Sequence, residues 1–87
     1  MSRPVIRIGD KTSHGGEVKT GSASFLVDGK GVARLGDVVS CPLHPAETTI
    51  DSGSESYITD GRPTARDGDK TACGATLIAS QASYFIK

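Results

Sequence analysis

Residues 21–41 read GSASFLVDGKGVARLGDVVSC, and residues 53–73 read GSESYITDGRPTARDGDKTAC. Laid over one another without a gap, the two stretches agree at ten of twenty-one positions. A third copy precedes them, since residues 3–15, RPVIRIGDKTSHG, agree with residues 62–74, RPTARDGDKTACG, at eight of thirteen. Chance gives about one or two matches in segments this short, so the repeat is real. The unit is R-x-G-D-x-x-x-[H/C], with copies Arg7-Gly9-Asp10-His14, Arg34-Gly36-Asp37-Cys41 and Arg66-Gly68-Asp69-Cys73. Three such units, each too small to bury a face alone, predict a pseudo-threefold arrangement converging on a common axis. Each copy ends, four residues after its Asp, on a residue that can ligate a metal.

Local signals favour β-structure. Residues 22–27 and 54–59 are rich in β-branched and aromatic side chains, and run into Asp28-Gly29 and Asp60-Gly61. Asp-Gly favours turns with positive φ, so each stretch reads as the first arm of a hairpin. Return arms are expected at 32–35 and 64–66, with shorter strands at 5–8, 48–52, 75–79 and 83–86. No window carries apolar residues at i, i+3, i+4 and i+7 over three turns, although one short helical turn remains compatible with the pattern. The expected class is all-β, a single domain over residues 1–87.

Composition narrows the function. Ten Lys+Arg balance ten Asp+Glu, so the positive field that nucleic acids and anionic membranes require is missing. Apolar runs stop at three residues, as in Phe25-Leu26-Val27, too short for a membrane helix or a secretory signal peptide. Val, Ile, Leu and Phe number eighteen, while Gly, Ser and Thr make up a third of the 87 residues. So thin a core calls for a disulfide, a metal or a partner surface.

The candidate ligands are His14, Cys41, His44 and Cys73, which are all the histidines and cysteines in the chain. Cys41-Pro42-Leu43-His44 sets a thiol and an imidazole three residues apart, and His14 and Cys73 come from the other two units. A Cys2His2 set suits tetrahedral zinc in a closed, structural site, with iron as the competitor because it accepts the same ligands. Two other readings stand beside it. A Cys41–Cys73 disulfide would leave the matched positions of both histidines unexplained, and two free buried thiols would leave all four unexplained. Asp10, Asp37 and Asp69 read as turn formers paired with Arg7, Arg34 and Arg66 rather than as a catalytic cluster. Ser40 has no base and orienting partner beside it, and residues 29–31 are too short for a phosphate loop.

Together, Gly9-Asp10, His14, the run from Gly29 to Asp37, Cys41-Pro42-Leu43-His44 and Thr64-Ala65-Arg66-Asp67-Gly68-Asp69 resemble the PAAR-repeat proteins. The likeness covers nearly the whole chain, from about Val5 to Ile86. The family's Pro-Ala-Ala-Arg survives only in part, as Gly31-Val32-Ala33-Arg34 and Pro63-Thr64-Ala65-Arg66. The resemblance implies a small β-rich cone with a metal near its point, held by three His and one Cys. Carried onto this chain the ligands are His14, Cys41, His44 and Cys73, with Cys73 where a third His is usual.

The resemblance further implies a structural tip that caps and sharpens the trimeric (VgrG-like) spike of a type VI secretion system, aiding membrane puncture and effector delivery. One monomeric tip would serve each trimer, with a non-covalent effector or adaptor as a further partner and no nucleic acid. Assembly is expected in the bacterial cytoplasm and export on the spike, without a signal peptide. Many relatives carry toxin domains beside the cone, and no such extension is expected here. The tip of a phage or related contractile-tail spike is the alternative within this class. From another class, a minimal metal-dependent hydrolase would need an open coordination position and a general base. No spare histidine is present to supply them, so no enzyme is expected.

Overall fold

The computed structural model describes residues 2–42, 47–81 and 84–87. Among them every strand is two residues long: β1 (Arg3–Pro4), β2 (Lys11–Thr12), β3 (Leu26–Val27), β4 (Lys30–Gly31), β5 (Val38–Val39), β6 (Thr48–Thr49), β7 (Ile58–Thr59), β8 (Arg62–Pro63), β9 (Leu77–Ile78) and β10 (Phe85–Ile86). The described residues contain no helix, so the all-β expectation holds and the short helical turn is absent from them.

The Asp-Gly pairs make the expected turns. Asp28 and Gly29 have φ of 53° and 81°, and Asp60 and Gly61 have 52° and 80°. Two successive positive φ values define a type I′ turn, whose twist matches that of the flanking strands. β3 pairs β4 and β7 pairs β8, both antiparallel. A two-residue loop leaves no slack, so the return arms begin at Lys30 and Arg62, two residues before the expected 32–35 and 64–66. The third hairpin is assembled from distant residues: β1 pairs β10, with Arg3 opposite Ile86.

Beyond the hairpins the units interlock in a ring. Arg7 bridges Val32, Arg34 bridges Thr64 and Arg66 bridges Val5. Inside these bridges, the amide of Ile6 donates to the Ala65 carbonyl (3.0 Å), that of Ala65 to Ala33 (2.9 Å) and that of Ala33 to Ile6 (2.8 Å). This closed triangle of backbone hydrogen bonds is the pseudo-threefold axis predicted from the repeat. Ile6, Ala33 and Ala65 are fully buried there, and Val18, Ile50 and Leu77, also equivalent, extend the same cluster. A second cluster of Val5, Val27, Val32 and Ile86 packs with Phe25 under the hairpins, and Phe25 meets Tyr84 edge to face at 5.4 Å.

The Gly-Asp turns repeat the symmetry atom by atom. Oδ2 of Asp10, Asp37 and Asp69 accepts the amide of the Arg three residues earlier, at 2.8, 2.7 and 2.7 Å. Oδ1 of Asp37 and Asp69 accepts the hydroxyls of Thr20 and Ser52, and Oδ1 of Asp10 that of Ser80. Arg34 and Arg66 also lay their guanidinium groups along Asp37 and Asp69. Arg7 departs, because its Nη2 donates to the Ser80 hydroxyl (2.8 Å) and its Nη1 to the Val27 carbonyl (3.3 Å). No helix of the described residues is long and apolar enough to cross a membrane.

Candidate metal centre

In each unit the chain passes from hairpin to axis to Gly-Asp turn, and then to its [H/C] position. Two of the three loops that present these residues are built alike. Thr12 Oγ1 accepts the amides of His14 (3.3 Å) and Gly16 (3.1 Å), while Thr71 Oγ1 accepts the amide of Ala75 (3.0 Å). Such side-chain-to-backbone turns tie the loop to its own strand. Thr48 Oγ1, from another unit, accepts the Cys73 amide at 3.1 Å. These threonines were not singled out in the sequence. The signal was present, since Thr12 and Thr71 coincide in the repeat alignment.

The loops bring His14, Cys41 and Cys73 together. His14 Nδ1 lies 3.8 Å from Cys41 Sγ and 3.9 Å from Cys73 Sγ, and the two sulfurs are 3.0 Å apart. All three donor atoms fall within 4.8 Å of one another, one from each unit. Cys41 is buried and His14 and Cys73 half-buried, and the cysteines are not joined in a disulfide. His44, the fourth expected ligand, lies outside the described residues.

The chemistry of the cluster fits a metal. A hydrogen bond with Cys41, reinforced by the Thr71 hydroxyl, lowers the Cys73 thiol to about 6 despite some desolvation. A thiol so poised supplies a thiolate near neutral pH, the form that ligates. Donors around a tetrahedral zinc stand roughly 3.4–3.8 Å apart, given metal–ligand bonds of about 2.0–2.3 Å. The two histidine–sulfur distances are close to that range, and the sulfurs need only open slightly. One imidazole nitrogen and two sulfurs form a donor set suited to zinc or iron.

Equivalent positions elsewhere reveal a feature that the sequence reading passed over. Leu26, Ile58 and Phe85 hold matching places on the three hairpins and are 54%, 57% and 47% exposed. Their neighbours Val27, Thr59 and Ile86 are buried. Tyr57 and Tyr84, matching Phe25, add further exposed aromatic surface. The signal was half visible: Phe25-Leu26 aligns with Tyr57-Ile58, whereas Tyr84-Phe85 joins the pattern only when β10 folds back onto β1.

Comparison with curated proteins gives no match. The PAAR motif matches residues 8–79 of the 87, a span that takes in all three gathered donors and all three Gly-Asp turns, and by that match the chain belongs to the PAAR motif family.

Proposed function

We propose that this protein is the tip of a trimeric spike in a type VI secretion system. The PAAR motif family is associated with spike-tip proteins of that system and generally binds spike proteins. The observation that carries the reading for this chain is the trio Leu26, Ile58 and Phe85, exposed at equivalent positions on three hairpins. One chain thereby offers three near-equivalent apolar contacts to a partner with threefold symmetry. The strand ends of such a trimer need covering, and one tip supplies all three contacts at once.

Zinc held by His14, Cys41, His44 and Cys73 stiffens the end of each unit remote in sequence from the hairpins. The role is mechanical and not enzymatic. The tip assembles on its spike in the bacterial cytoplasm and leaves with it, and an effector or adaptor rides without a covalent link.

Native mass spectrometry of the tip mixed with its spike trimer tests the docking. One tip per trimer is expected, and Leu26→Asp combined with Ile58→Asp should abolish the complex while leaving the fold and bound metal intact. Three tips per trimer, or unchanged binding by the double variant, would refute the reading.

A further inference from the structure

We infer that Cys41 and Cys73 are a reversible redox pair, closing to a disulfide when two electrons are removed and giving up the metal as they do so. The inference builds on the metal-centre reading but has its own basis in geometry. The two sulfurs come from different units and are 3.0 Å apart. Their loops are held separately, the Ser40 amide donating to the Glu17 carbonyl (2.9 Å) and the Cys73 amide to the Thr48 hydroxyl (3.1 Å). A disulfide requires about 2.05 Å, so an approach of about 1 Å suffices. A third histidine in place of Cys73 could not take part in this chemistry.

The step balances with hydrogen peroxide as the oxidant. The Cys73 thiolate, the more exposed of the two, attacks one peroxide oxygen, and the O–O bond breaks. Cys73 becomes a sulfenic acid, and the hydroxide that leaves is protonated to water. The Cys41 thiolate then attacks the Cys73 sulfur, forming the S–S bond and expelling the oxygen as a second water after protonation. Two thiolates, one peroxide and two protons yield one disulfide and two waters. With both anionic ligands gone, His14 and any remaining imidazole hold a divalent ion far less tightly.

Such a pair suits a protein that moves between compartments. Thiolates persist in a reducing interior and disulfides in an oxidising exterior. The same two residues would clamp units two and three through a metal on one side of the envelope and through a covalent bond on the other.

The test uses the full chain, loaded with zinc and separately stripped of it, each titrated with hydrogen peroxide. Intact mass, peptide mapping and a chromogenic zinc chelator provide the readouts. Expected are loss of two hydrogens per chain, a Cys41–Cys73 linked peptide, release of one zinc per disulfide, and reversal by dithiothreitol. Cys73→His should keep its zinc at peroxide doses that empty the wild type. Oxygen added to either thiol without the link, or zinc lost equally from Cys73→His, would overturn the inference. If the chain takes up no zinc yet forms the linked peptide, the metal reading fails and the redox pair stands. If it binds zinc and never forms the link, the reverse holds.

Discussion

Asp37 is buried, receives the Arg34 amide and the Thr20 hydroxyl, and lies against two guanidinium groups, those of Arg34 and Arg62. Burial alone would raise its carboxyl, but hydrogen bonds from Arg34 and Thr20 outweigh that and hold it below the ordinary 3.8. A depressed carboxyl contributes stability that is complete above its unfolded value and is lost as pH falls through the folded one. Asp37→Asn should therefore cost about 1.5–3 kcal/mol at neutral pH, the worth of charge-assisted hydrogen bonds. The wild-type advantage should shrink as pH drops below about 4, read as the difference in melting temperature between the two proteins. Taking the difference removes the acid sensitivity of the thiolates, which both proteins share. Gly31 makes a second residue-scale case. It stands where the other units have Pro4 and Pro63, and a Cβ there would lie 2.3 Å from the Ser22 carbonyl oxygen. A proline there, as the Pro-Ala-Ala-Arg signature has, would meet the same carbonyl. Gly31→Ala should lower the melting temperature by about 8 °C or more, since backbone must shift to admit it. Differential scanning calorimetry settles the size.

At the scale of elements, the two local hairpins were legible because their turn chemistry is contained in four adjacent residues each. The third was not, since β1 and β10 come from opposite ends of the chain and neither carries a turn signal. Its physical determinant is burial, with Ile86 2% exposed in the cluster formed by Val5, Val27 and Val32. Ile86→Ala should accordingly cost about 2–5 kcal/mol, as deletion of buried methyl groups does. Ile58→Ala, at an exposed position on an equivalent hairpin, should change stability by less than about 0.5 kcal/mol. Urea unfolding of both variants checks the contrast. Equal losses would mean that the hairpins share load in a way their burial does not reveal.

For the whole molecule, the repeat made the threefold axis and the gathering of His14, Cys41 and Cys73 predictable, because symmetry carries equivalent residues to equivalent places. The hairpin apolar trio escaped for the same reason in reverse, as one member belongs to the unit that the chain splits. A core this thin gains much from a metal, whose apparent contribution in small structural sites is roughly 10–16 kcal/mol. Stripping zinc with a chelator should thus lower the melting temperature by more than about 10 °C, as should Cys41→Ser, and readdition of zinc should restore the stripped wild type. Leu26→Asp should leave that temperature nearly unchanged. The pairing of Arg3 with Ile86 also sets the order of events during synthesis. Local hairpins close within microseconds, but contacts between residues far apart in sequence form slowly because chain entropy must be overcome first. The first unit cannot be completed until Phe85 and Ile86 have emerged from the ribosome. A nascent chain therefore displays two finished hairpins around an open gap until the last strand emerges to seal it.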